Sequence, residues 1–183
     1  MGIKPVTCSN TQGSTLVGNS RAANKVSTFL NQLIADGKLA PGSTQGCSQA
    51  EIAAIEKSLG NPLPVEYKNF LQLIGKAAGD LFLGSEIYYR DLRSLLELQE
   101  YAKRLLRLNQ FSALPKQAFV FFMHQGYTFN YFLLNDGDDP PVYQFCEEQE
   151  STTFNKRSKI RSSVSLVISF CDSFIFSHNC SLV

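Results

Sequence analysis

The sequence predicts a single α+β domain, an antiparallel-rich β-sheet packed against N-terminal, mid-chain and C-terminal helices. Three observations lead there. Apolar residues recur at helical spacing before residue 75 and again over 94–108. Three strand-like runs follow between residues 118 and 146, joined by connections too short for a parallel crossover. A last apolar stretch, 163–176, returns to a helical period. Helices, then a meander, then a helix is the order of a layered α+β fold.

Residues 1–19 are rich in Ser, Thr, Asn and Gly without an apolar period, and read as a flexible N-terminal arm. Residues 20–45 hold an extra N-terminal helix and a linker. Val26, Phe29, Leu30, Leu33 and Ile34 form its stripe over 21–35, Gly37 ends it, and Pro41-Gly42-Ser43-Thr44 leads onward. Ser48 and Glu51 then form a capping box, each side chain serving a backbone N–H that the first helical turn leaves open. Ile52, Ile55 and Leu59 line one face, and Gly60 suits a left-handed stop. Pro64 fits the first position of the next helix, whose stripe is Tyr67, Phe70, Leu71 and Ile74 before Gly75.

After Gly75, the run KAAGD reads as a loop, with short strands at 81–83 and 87–89 around Gly84. A second box, Ser94 with Glu97, is expected to open a helix through Leu108. Its apolar face holds Leu95, Leu98, Tyr101, Ala102, Leu105 and Leu106, leaving Arg93, Lys103, Arg104 and Arg107 for solvent. The runs 118–124, 127–134 and 142–146 are aromatic and β-branched, as strands favour. The stretch 163–176 mixes β-branched residues with a helical period, and is read as a C-terminal helix.

A chain of 183 residues can bury roughly 70% of its unfolded surface without a disulfide or metal staple. Seventeen basic residues against 16 acidic ones leave a formal charge of +1, which argues against a general nucleic-acid binder. Five cysteines, at 8, 47, 146, 171 and 180, form no CxxC pair and fit free thiols in a reducing compartment. The start carries no apolar signal core, and Val6 stands where a myristoylation site wants Ser or Thr. The greasiest stretch, 164–176, contains Asp172 and is too short to span a bilayer. A cytoplasmic protein without membrane contact is expected.

His124 and Cys146 invite a nucleophile–base reading, since hairpin turns near 125–126 and 137 place both at one end of the sheet, Cys146 pairing near Thr128. No third residue orients the histidine, so a sheet-end histidine and a buried small cysteine outweigh catalysis. Asp136, Asp138 and Asp139 suggest a calcium loop, but Pro140 and Pro141 occupy its fifth and sixth places, where an oxygen ligand and a glycine belong. A solvated turn fits better. Lys156, Arg157, Lys159 and Arg161 lack interleaved aromatics and read as a solvated face. Glu56, inside an apolar helix, either faces water or pairs with Lys68 or Arg90. Tyr88, Tyr89 and Arg90 are of the types that binding hot spots favour, although a short strand would bury one tyrosine as core. No catalytic residue, cofactor or metal is expected.

The segment 46–75 resembles the opening motif of the SMI1/KNR4-like (SUKH) superfamily, carried by Gly46, Ile52, Glu56, Leu59, Gly60, Leu63, Pro64, Tyr67, Lys68, Phe70, Leu71 and Gly75. Gly126, Phe129, Asp139, Pro140, Pro141, Val142 and Tyr143 are similar to its second motif. Lys76-Ala77 departs from the first motif, where a second glycine after Gly75 is common, and the chain has no tryptophan. The resemblance implies a SUKH domain over 46–178. It implies an immunity protein of the bacterial type, which neutralises a cognate polymorphic toxin domain by stoichiometric occlusion and is not an enzyme. Other readings are a regulatory scaffold of the cell-wall-signalling type and, more remotely, a small Cys/His hydrolase. Candidate partner-binding residues are Tyr88, Tyr89, Arg90, Asp136, Asp138 and Asp139, and an exposed strand edge leaves oligomeric state open.

Overall fold

The computed structural model describes residues 25–147. The arm at 1–19, the basic run at 156–161 and the helix expected at 163–176 lie outside the described residues. So do Cys8, Cys171 and Cys180. Within them the order is α1 (Lys25–Ala35), β1 (Thr44–Gln45), α2 (Gln49–Leu59), α3 (Val65–Ile74), β2 (Ala77–Ala78), β3 (Ser85–Glu86), α4 (Leu92–Leu108), β4 (Ala118–His124), β5 (Thr128–Leu133) and β6 (Tyr143–Cys146). The sheet β3-β4-β5-β6 is an antiparallel meander, and β1 pairs separately with β2. The fold is α+β, as its sequence predicts.

The sheet is buried on both faces. Val26, Leu30 and Leu33 of α1 join Ile52, Ile55, Tyr67, Phe70 and Ile74 around Phe119, Phe121, Phe122 and Phe132. Ala102, Leu105 and Leu106 of α4 form a second cluster with Val120, Met123, Phe129, Tyr131 and Phe145. Double-sided burial explains why β4 reads AFVFFM without alternation. The register slips between Val120 and Phe122, a β-bulge that lets Phe121 and Phe122 enter the same cluster. Gln99 of α4 repairs the ladder there. Its Nε2 donates to the Val120 carbonyl at 2.6 Å, and its Oε1 accepts the Val120 N–H at 2.8 Å.

Gly37 takes φ 70°, and α1 closes with Lys38 N–H donating to the Leu33 carbonyl and Gly37 N–H to that of Ile34. The capping box at α2 is formed: Glu51 N–H donates to Ser48 Oγ at 3.3 Å and Ser48 N–H to Glu51 Oε2 at 2.8 Å. Gly60 follows α2 in the left-handed region. Gly46 and Gly75 serve close approach instead. A Cβ on Gly46 would overlap the Gln72 carbonyl, and one on Gly75 would meet the Leu71 carbonyl and Cys47 Sγ. This proximity lets Cys47 N–H donate to the Leu71 carbonyl at 2.7 Å, tying the end of α3 to the segment after β1.

Four local expectations change. Pro64 precedes α3 as its N-cap residue, with φ −54° and ψ 144°, one place before the first helical position. The strands expected at 81–83 and 87–89 give way to β3 at 85–86, because Phe82 and Gly84 both turn the chain with positive φ. Leu81, Ile87 and Tyr89 are buried as irregular chain, so their apolar character reports packing and not pairing. Ala77-Ala78, expected as loop, is β2, drawn into pairing by Lys76 N–H on the Gln45 carbonyl and Gly79 N–H on that of Ser43. Finally, α4 starts three residues early. Its N-cap is Asp91, which accepts the Ser94 N–H at 2.7 Å, and Glu97 pairs instead with Arg93 at 2.8 Å.

Candidate functional site

Between the chain leaving β3 and the first half of α4 lies a cleft of about 520 Å³. That volume falls in the range typical of ligand pockets. One wall is the segment 84–90, the other is Leu95, Leu98 and Tyr101 of α4, and Tyr67, Phe121 and Met123 form the floor. Each wall has a physical cause. The turn at Phe82 and Gly84 aims the chain onto β4, where Ser85 and Glu86 pair with His124 and Met123. Ser85 Oγ meets His124 Nδ1 at 2.9 Å and strengthens a two-residue ladder. Beyond it, Tyr89 N–H donates to the Gly75 carbonyl at 2.7 Å, anchoring the far end on the α3 terminus.

Aromatic groups dominate the floor and charge the rim. Tyr67 packs against Phe119, Phe121 and Phe132 at centroid distances of 5.4, 5.9 and 5.2 Å. Burial pushes its hydroxyl pKa well up. Tyr88 donates its hydroxyl to the Leu81 carbonyl at 2.8 Å and meets Phe82 edge-on. Tyr89 is buried, and that burial raises its pKa. Arg90 reaches Glu86 Oε2 at 3.3 Å, both exposed. Tyr101, grouped by periodicity with the apolar face of its helix, stands at the margin and is 43% exposed. Arg104 lies over its ring at 5.9 Å, and the ring's hydroxyl sits so close to Gly126 that an added Cβ there would come within 2.7 Å of it.

Of the sequence-predicted partner residues, Tyr88, Tyr89 and Arg90 all line this cleft. Asp136, Asp138 and Asp139 do not. They are exposed in the loop between β5 and β6, on the sheet's opposite side from edge strand β3. There the Asp138 carbonyl accepts the Glu66 N–H at 3.1 Å, bracing the loop on the start of α3. Glu97 and Tyr101 are two of the further lining residues that the sequence does not single out for the site. Aromatic and charged residues spaced i, i+4 at the edge of an apolar stripe are the signal that finds them.

Other polar groups are committed to structure. Glu56 Oε1 accepts the Leu63 N–H at 2.9 Å and Lys68 Nζ at 3.3 Å, fixing the elbow between α2 and α3 through the first of its two expected partners. Glu51 Oε1 meets Lys76 at 2.8 Å. That contact and the Ser48 hydrogen bonds hold the Glu51 pKa down at about 2. Beside it the buried Cys47 thiol is pushed up to about 11 by desolvation and by Glu51, so it stays protonated at neutral pH. His124 registers with Thr128, which in turn registers with Cys146. The two are thus separated by a whole strand, roughly 10 Å, beyond hydrogen-bond reach. The geometry assembles no His124–Cys146 pair. Among the described residues no group of three or more His, Cys, Asp or Glu side chains could hold a metal ion, and no helix is long and apolar enough to cross a membrane.

Two helical layers on an antiparallel meander, with an aromatic cleft at one sheet edge, define an α+β domain built around a concave surface. Residues 46–165 match the SMI1 / KNR4 family (SUKH-1), and the chain belongs to that family. No curated protein matches it.

Proposed function

We propose that this chain is an immunity-type member of its family that neutralises a cognate toxin domain by binding it stoichiometrically. The observation that carries this reading is the cleft. It offers an apolar aromatic floor, paired rim charges at Glu86–Arg90 and Arg93–Glu97, and the exposed Leu83, Leu96 and Tyr101 close by. An apolar centre ringed by polar groups suits a protein interface better than turnover of a small substrate. Tyr88, Tyr89, Arg90 and Tyr101 are the contacts proposed, with Asp136, Asp138 and Asp139 as a separate contact at the other sheet edge. Residues 46–178 form the family domain in this reading, 20–45 add a helix and linker, and the protein acts in the cytoplasm.

The test is co-expression with the toxin domain encoded by the adjacent gene. Co-purification at one to one with relief of toxicity is expected. Arg90→Glu or Tyr101→Ala should weaken the complex about tenfold, the loss of one hot-spot contact. A toxin domain that neither binds nor loses toxicity sinks the proposal.

A further inference from the structure

A second surface lies on the outward side of α4, next to the cleft, and Glu97 and Tyr101 line both. Leu92, Leu96 and Tyr101 give it apolar area, and Leu96 is 42% exposed. Leu96 lies on the side turned away from Ala102, Leu105 and Leu106, which pack on the sheet, while Leu92, packed against the core, and Tyr101 flank it. Leu96 is thus an apolar group that the core does not explain, with the half-exposed Tyr101 ring beside it.

Charge selects the occupant. The carboxylates on this face are already held: Glu97 by Arg93 at 2.8 Å and Glu100 by Lys103 at 2.7 Å. Arg104 and Arg107 have no carboxylate within ion-pair distance among the described residues, although Arg107 is near enough to help depress the Glu100 pKa. Arg104 instead lies over the Tyr101 ring, which holds its guanidinium at the border of the apolar strip. Two guanidiniums without an ion pair among the described residues, beside Leu96 and Tyr101, complement a segment that is both acidic and apolar. We infer that the outer face of α4 docks an acidic segment of a partner protein, one that places a bulky apolar side chain on Leu96 and Tyr101 and carboxylates on Arg104 and Arg107. Arg suits this role because its planar fork donates two parallel N–H bonds to a carboxylate. The inference rests on the binding-module reading for its biological sense, but not for its test.

The test selects linear peptides from a random display library against the full-length chain, with counter-selection on the Arg104→Gln/Arg107→Gln double variant. Expected are peptides of net negative charge containing Leu, Phe or Trp. They should bind the double variant about tenfold more weakly in 50 mM salt, and the difference should shrink at 0.5 M salt. Leu96→Ala should weaken them at either salt. Circular dichroism melts of both variants separate lost contacts from a lost fold. Recovery of no peptides, of peptides without acidic bias, or of peptides that bind the variants equally would overturn the inference. Because these probes are not the toxin domain, the outcome is independent of whether that domain binds.

Discussion

Gly46 shows what a single residue contributes here. Its missing Cβ lets the Gln72 carbonyl lie against the chain, and with it the short hydrogen bond from Cys47 to Leu71. Gly46→Ala therefore forces apart two backbones and should cost about 1–3 kcal/mol in urea unfolding, the usual range for overpacking. Gly60→Ala, strained by φ 64° but with open space around its Cβ, should cost less. Glu51 works through charge. Its pKa falls from 4.5 in the unfolded reference to about 2 in the fold, so its contribution is fully present above pH 4.5. That contribution should fade as pH drops from 4.5 toward 2 and be gone below. Glu51→Gln should flatten this limb of a stability–pH profile, and an unchanged profile would show that the capping box and Lys76 contribute little.

At the scale of elements, the helices from 25 to 74 were legible because their signals are local. A stripe and a stop lie within one helix length of each other in α1, α2 and α3, with a capping box added at α2, and each helix occurs where its stripe predicts. The start of α4 was not legible in the same way: Ser94 with Glu97 makes a complete capping-box pattern, yet Asp91 caps the helix three residues earlier. Asp91 wins because its carboxylate accepts the Ser94 N–H and meets the positive end of the helix. Asp91→Ala should lower the melting temperature by a few degrees, while Ser94→Ala, which keeps that N–H, should leave it nearly unchanged. The reverse order would restore Ser94 as the cap. The strands from 77 to 89 were misplaced for another reason. Apolar residues there mark burial, while the pairing belongs to Ala77-Ala78 and Ser85-Glu86, short segments whose partners lie far away in sequence.

Across the whole molecule, the fold depends on contacts that join its two layers to one sheet. Gln99 is the clearest of them, a buried amide on α4 that completes the hydrogen bonding of Val120 at the bulge. Gln99→Leu keeps the volume but strands a buried N–H and a buried carbonyl. It should cost about 2–4 kcal/mol by chemical denaturation, and a loss below half a kcal/mol would mean that the bulge finds other partners. The candidate site is a product of the same assembly. Its walls come from residues 84–90 and 95–101 and its floor from Tyr67, Phe121 and Met123, brought together by the α3–β4 core. Tyr88, Tyr89 and Arg90 stood out by composition alone, as the kinds of side chain that anchor interfaces. That Tyr101 joins them, and that the aspartates of the 136–139 loop do not, follows from strand order. By itself the sequence determined the α+β class, the three early helices, the β4–β5–β6 meander and the family motif, because caps, stripes and hairpins are short-range consequences of residue type. Only the tertiary structure decided where the concave surface lies and which charges on α4 lack an ion pair among the described residues, because both depend on which distant segments the core draws into contact.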